Sequence, residues 1–318
     1  MEKVIFDTNA YRYLVSDKTN KQVNKIIQKL KDKEKKNNIE SLMSPIVAME
    51  LLAHVANKKD SSYTKCLKAI KALYYHSGNN KEINIIPSSE LLISKAFFNQ
   101  EISSKLTTHQ AIAQILLHLA KNPSEYVFTK FQRNLNLNAR HIKDSEDNFA
   151  LEMKKFLKSI DPDCNEWEVF KDEPEKRKKA LLSVRSNETS KAIAAGYLYI
   201  VYDLLIKDGK LPNKTEEEIL KEIEPMTIEF IKIFPEPIAL YKSVMENLIN
   251  SEFNLFQNNR SNFVWDIHLM FNIGQNTIGN SKIIFVTSDK AIIKTALSTN
   301  TKNLIFTFDE YMQYLGLK

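Results

Sequence analysis

The sequence predicts an α/β protein: a parallel sheet flanked by helices and interrupted by a large all-α insertion. Three observations carry this. Two unbroken runs of β-branched and aromatic residues, Lys3-Val-Ile-Phe and Lys282-Ile-Ile-Phe-Val, stand near opposite ends of the 318-residue chain. Runs without polar alternation read as strands buried on both faces, the habit of parallel sheets. Each run turns acidic where the strand should stop, at Asp7 and at Asp289. Between about residues 60 and 255, strand signals nearly vanish. The order is therefore β-α-β-α in front, helices in the middle, and α-β-α-β-α behind. One sheet split by an insertion explains that order better than two domains in series, with divisions at 1–59, 60–255 and 256–318.

In chain order, Lys3–Phe6 is the first strand, followed by Asp7-Thr8-Asn9 and an apolar patch at Tyr11, Tyr13 and Leu14. Lys18–Lys36 is a lysine-rich helix with Val23, Ile26, Ile27 and Leu30 at helical spacing; its charges read as a solvated face, with phosphate binding the less favoured use. Ser41–Ser44 forms a short second strand. Ser44-Pro45 then opens a helix, Ser as N-cap and Pro at the first helical position, running to Val55 with Glu50 one turn before His54. Helices follow at Tyr63–His76, Ser88–Gln100, Thr107–Lys121 and Glu125–Ile160, then at Thr189–Lys207, Thr215–Glu224 and Ile238–Phe256, with prolines as punctuation. Lys171–Arg185, dense in both charges, reads as a mobile loop. The helix Asn262–Phe271 contains Asp266, and Gly274 and Gly279 supply the turn after it. Strand Ile283–Thr287, helix Lys290–Leu297, strand Leu304–Phe306 and a closing helix capped by Asp309 complete the chain.

Composition narrows the setting. The hydrophobic share of 43% and charged share of 26% are those of a soluble globular protein. A net charge of +6 permits nucleic-acid binding without demanding it. Cys66 and Cys164, the only two cysteines, are far apart and match no metal-ligand spacing; such scarcity argues against a disulfide framework and favours a reducing compartment. The first apolar run is too short for a signal peptide, and the longest, Ala192–Ile206, is too short and too polar for a membrane span. A cytoplasmic location is expected, with no membrane partner.

Four lone acids carry the functional reading. Asp7, Glu50, Asp266 and Asp289 each have an apolar stretch close by on at least one side, and none has an Arg or Lys at i+3 or i+4 on its own helix. A carboxylate in apolar surroundings costs several kcal/mol unless neutralised. Crowded together they would repel one another and rise in pKa, unless a cation joined them. Hard oxygen donors without a Cys/His set point to Mg²⁺ or Mn²⁺.

The order of these motifs resembles the PIN (PilT N-terminal) nuclease family. The resemblance rests on Asp7-Thr8-Asn9 after the first strand, Glu50 in Met49-Glu50-Leu51-Leu52, Asp266 in Val264-Trp265-Asp266-Ile267, and Thr287-Ser288-Asp289 after a late strand. The terminal Leu304-Ile-Phe-Thr-Phe-Asp-Glu-Tyr-Met is similar to the family's last strand and helix. It covers the two ends of the chain and leaves the insertion unaccounted for. It implies a divalent-metal-dependent endoribonuclease in which Asp7, Glu50, Asp266 and Asp289 hold one or two Mg²⁺ or Mn²⁺ ions. Thr8, Asn9, Thr287 and Ser288 would support the acids, and Arg12, Arg260 and Lys290 would hold the substrate backbone. RNA is the expected substrate ahead of DNA, and an antitoxin-like protein is a possible partner.

Other readings stand beside this one. Asp7 can cap the turn after its strand, Asp289 the helix opening at Lys290, and Glu50 can simply face solvent. Asp266 can pair with His268, Arg260 or a lysine. His54 and His268 read as core or rim histidines, and Trp265, Trp167, Phe128, Phe131, Tyr197, Tyr199 and Tyr202 as packing residues. At the level of function, a non-catalytic PIN-like module binding protein or RNA, and a flap-type DNA nuclease, remain open.

Overall fold

A computed structural model describes residues 2–78, 83–160, 162, 173–250, 262–273, 282–299, 301 and 304–317. Four parallel strands form one sheet: β1 (Glu2–Phe6), β2 (Ile39–Ser41), β3 (Ile283–Val286) and β4 (Ile305–Phe306), in the spatial order β2-β1-β3-β4. Lys3 pairs with Ile283 and Phe6 with Val286, so the two ends of the chain lie side by side at the sheet's centre. All four residues of β3 are fully buried, as are Val4 and Ile5 of β1. Burying each such side chain stabilises by about 1.5–3 kcal/mol, which is why these central strands carry no polar alternation.

Short parallel strands need helical crossovers. Between β1 and β2 the chain forms α1 (Thr8–Val15) and α2 (Asn20–Lys36). Thr19 and Gln22 make a reciprocal capping box at the start of α2. The helices α3 (Pro45–Val55) and α4 (Tyr63–Ser77) follow. Residues 83–86 contribute only isolated bridges, Gly78 to Ile83 and Met43 to Ile85. The stretch expected as one helix from Ser88 is a short α5 (Ser89–Ile93) running into a π-helical turn, Ser94–Phe98. It ends at Asn99, whose φ of 49° is left-handed. Then come α6 (Ser103–Lys121) and the long α7 (Glu125–Ile160).

The remaining helices are α8 (Pro174–Arg185), α9 (Asn187–Lys207), α10 (Glu216–Ile223), α11 (Met226–Ile233), α12 (Pro235–Asn250) and α13 (Phe263–Met270). After β3 comes α14 (Lys290–Ser298), and after β4 comes α15 (Phe308–Tyr314).

By packing, the chain forms two units. The first holds Met1–Ser88, Ser103–Ile142 and Asn272–Lys318; the second holds Ser89–Ile102 and Lys143–Phe271. α4 packs on α1, α2 and α3, and α6 packs on α3 and α4, so both belong with the sheet.

A buried polar network ties the first unit together. Glu34 of α2 accepts from His76 Nε2 at 2.9 Å and from Tyr311 Oη at 2.9 Å. His76 Nδ1 lies 2.9 Å from Tyr11 Oη. Glu34, His76, Tyr11 and Tyr311 are each at most 2% exposed. Burial, joined by the nearby Glu34 charge, pushes both phenols well above their ordinary range. Phe6 meets His76, Tyr311 and Phe308 edge-on. These contacts join α1, α2, α4 and α15 around the end of β1. In the second unit, Phe97, Tyr197, Phe230, Phe234 and Phe271 form an aromatic cluster.

Three local expectations need correction. The supposed mobile loop ending at Arg185 is helical from Pro174, because Ala180 and Val184 are buried and Pro stands at the helix start. Asp309 does not cap α15; Thr307 does, with Glu310 completing a capping box. The second strand is Ile39–Ser41, earlier than Ser41–Ser44, because β1 pairs with Ile39 and Glu40. Cys164, Trp167, Arg260, Gly274 and Gly279 lie outside the described residues.

Candidate functional site

Asp7 and Asp289 follow neighbouring, register-matched strands, so both stand at the same carboxyl-terminal edge of the sheet. In open α/β sheets this edge is where ligands bind. Asp7 is the N-cap of α1, its Oδ1 accepting from Ala10 N–H. Asp289 is the N-cap of α14, its Oδ1 accepting from Ala291 N–H at 2.8 Å and Ile292 N–H at 3.0 Å. Among the described residues no hydrogen bond falls on Asp289 Oδ2. Capping, weighed above as the plain alternative for each aspartate, is thus realised at both.

Two threonine hydroxyls link the acids. Thr287 Oγ1 donates to Asp7 Oδ2 at 2.5 Å and accepts from Asp289 N–H at 3.0 Å. Thr8 Oγ1 donates to Glu50 Oε2 at 2.5 Å. The support expected of Thr8 therefore reaches Glu50 of α3. Asn9 is exposed and contributes its backbone N–H to Asp7, and Ser288 is exposed. The result is a chain of contacts from Glu50 through Thr8–Asp7 to Thr287 and Asp289, built from α3, β1, α1 and β3.

Burial pushes the Asp7 carboxyl up from 3.8 to about 6. The bonds from Thr287 and Ala10 oppose that rise, and the neighbouring Asp289 charge adds to it. Asp7 is 4% exposed, so little solvent screens this repulsion.

Arg12 of α1 is half-buried and donates to Ser62 Oγ at 3.0 Å. The Asp60 carboxyl is held low against the opposing effect of burial, mainly by the bonds from His54 and Ser62 N–H, with the Arg12 charge the smallest contribution. His54 Nδ1 lies 3.0 Å from Asp60 Oδ2, so the histidine one turn after Glu50 has a rim partner. Lys290 is exposed at the first position of α14. Asp266 belongs to the second unit, half-buried in the first turn of α13 beside the buried Trp265, whose Nε1 donates to Glu146 at 3.1 Å. His268 there meets Ser89 Oγ at 2.6 Å.

The donor set of the first unit fits a hard divalent cation in kind: carboxylate and hydroxyl oxygens, with Asp7 raised chiefly by burial and further by the neighbouring Asp289 charge. Among the described residues, no three His, Cys, Asp or Glu side chains stand together as a ready-made metal cage. Mg²⁺ characteristically uses one or two carboxylates, several waters and a substrate phosphate, which matches a pair better than a cage.

The network of Glu34 and His76 was missed at the level of sequence. A signal existed: Glu34 continues the buried row Val23, Ile27, Leu30 of α2, a carboxylate on an apolar face. No family model matches the chain, and neither curated proteins nor solved structures yield a match.

Proposed function

We propose that the chain is a divalent-metal-dependent phosphodiesterase, an endoribonuclease of PIN-like architecture acting in the cytoplasm. The observation that carries the reading is the pair of aspartates, Asp7 buried and Asp289 half-buried, that follow adjacent parallel strands, with Asp7 raised to about 6 beside a second carboxylate. A purely structural cap has no need of that repulsion, whereas a cation relieves it.

Asp7 and Asp289 would hold Mg²⁺ or Mn²⁺, with Glu50 as the further ligand of the same unit that the family resemblance implies. The ion would supply acidified water and stabilisation of the leaving oxygen. This chain's residues do the positioning. Thr287 fixes the rotamer of Asp7 through its hydroxyl and is itself held by Asp289 N–H. Thr8 holds Glu50 through its hydroxyl. The first turn of α14 offers Lys290 for a phosphate oxygen, and Arg12 of α1 is anchored on Ser62. An antitoxin-like protein covering this edge is the partner that the family reading adds.

Two measurements test it. Asp7→Asn should abolish Mn²⁺-dependent cleavage of single-stranded RNA while the circular-dichroism spectrum is unchanged; undiminished cutting would sink the site. Mn²⁺ should raise the melting temperature of the wild type and leave that of Asp7→Asn unmoved, since a ligand stabilises only the state that binds it. The second reading, a non-catalytic module, is favoured by the fully used cap bonds of Asp7. It expects no Mn²⁺ shift in either protein.

A further inference from the structure

Helix α2 presents a lysine row that nothing in the proposed active site uses. Lys21, Lys25, Lys29, Lys35 and Lys36 are exposed, and Lys33 is half-exposed. None of the six makes an ion pair with a described residue. At 100° per residue, Lys21, Lys25, Lys29 and Lys36 fall within an arc of about 80°, opposite the buried row Val23, Ile27, Leu30 and Glu34. Successive members at i, i+4 and i+8 advance roughly 6 Å each along the axis. Of the helix's two acids, Glu34 is buried in the core and Asp32 is engaged by Gln28 Nε2 at 2.8 Å.

We infer that this face of α2 is a docking track for the phosphate backbone of single-stranded RNA. The inference rests on the nuclease reading for its choice of polyanion and deepens it by naming where the substrate runs. α2 belongs to the connection that leaves β1 at the edge bearing Asp7 and re-enters the sheet at the opposite end of β2, so the track shares one unit with Asp7, Glu50 and Asp289. Evenly spaced point charges suit a ligand that repeats one charge per residue. A membrane surface fits less well. No large apolar side chain of α2 is exposed, and an interfacial helix needs such anchors. Lysine on an exposed helix gives affinity without base selection, because phosphate contacts position and do not specify.

The test is fluorescence-anisotropy binding of a labelled 20-nucleotide oligouridylate to the full chain in EDTA, where cleavage is absent. The variant combines Lys21→Gln, Lys25→Gln, Lys29→Gln and Lys36→Gln. A control of equal charge change combines Lys178→Gln, Lys179→Gln, Lys191→Gln and Lys221→Gln, all exposed in the second unit. The α2 variant should bind at least tenfold more weakly. Its slope of log affinity against log salt should fall by about 3, at about 0.7 per lost single-strand contact. Equal weakening in both variants, or an unchanged salt slope, overturns the track. So does wild-type binding to phosphatidylserine vesicles with none to RNA. Because binding is read without metal, loss of the nuclease reading would appear separately, as absent Mn²⁺-dependent cleavage beside intact, α2-dependent binding.

Discussion

Replacing Asp7 by Asn should make the metal-free protein more stable at neutral pH. Asp7 is raised from 3.8 to about 6, chiefly by burial. Between those values the folded state holds a proton that the unfolded state has released, so stability falls as pH rises through this window and stays low above about 6. A shift of roughly two units corresponds to about 3 kcal/mol at pH 7.5. Asn keeps the bond from Ala10 N–H through its Oδ1. Its Nδ2 can donate to Thr287 Oγ1, which has a second lone pair beyond the one used by Asp289 N–H. The hydroxyl then loses its present acceptor, Asp7 Oδ2. A net gain of about 1–2 kcal/mol remains, after roughly 1 kcal/mol for the bond lost. The assay is thermal unfolding in EDTA at pH 4.5, 5.5, 6.5 and 7.5, following the transition of the sheet-bearing unit. The wild type should lose stability from pH 4.5 to 6.5 relative to the variant, and the variant should melt several degrees higher at pH 7.5. A variant that melts lower at pH 7.5, or a difference that does not change with pH, would refute the burial of an ionised Asp7.

Other perturbations follow from the same contacts. Thr287→Val removes the hydroxyl that offsets the burial of Asp7 and leaves Asp289 N–H without its acceptor; destabilisation of about 1.5–3 kcal/mol is expected at pH 8, shrinking at pH 5 where Asp7 is protonated, and equal loss at both would be contrary. In the core, Glu34→Ala should cost about 3–5 kcal/mol by stranding His76 and Tyr311, while Tyr311→Phe should cost about 1–3 kcal/mol; urea titration in which the two variants are equally stable would contradict the network. Glu236 of the second unit is buried, and that burial pushes its carboxyl up to about 7. Glu236→Gln should therefore raise the melting temperature more at pH 8 than at pH 5, and a pH-independent effect would show that the carboxyl is solvated.

Much of the chain's local structure was written in its periodicity. The strands around Ile5 and Phe285 are unbroken apolar runs, and α7 was legible from Glu125 to Ile160 because its amphipathic pattern continues without a break. The candidate aspartates were legible for a similar reason: an acid after such a run must sit at a strand end. Their ambiguity was legible too, since a strand-end Asp before a helix is also a good N-cap, and both aspartates act as caps. The charge-dense stretch ahead of Arg185 misled, because composition hid the few apolar positions, Ala180 and Val184, that decide helix formation.

What the sequence determined by itself was therefore local: element type, caps such as Thr19 with Gln22, and the acid at the end of each central strand. Only tertiary structure decided the partnerships. Thr287 meets Asp7 across 280 residues, and Tyr311 meets Glu34 across 277. It also decided that α4 and α6 pack with the sheet although they fall inside the expected insertion. Side-chain period reports which face of an element is buried, and that is all a short window of sequence can encode. Which distant face it meets depends on strand register and loop closure, and these are fixed by the packing of the whole unit.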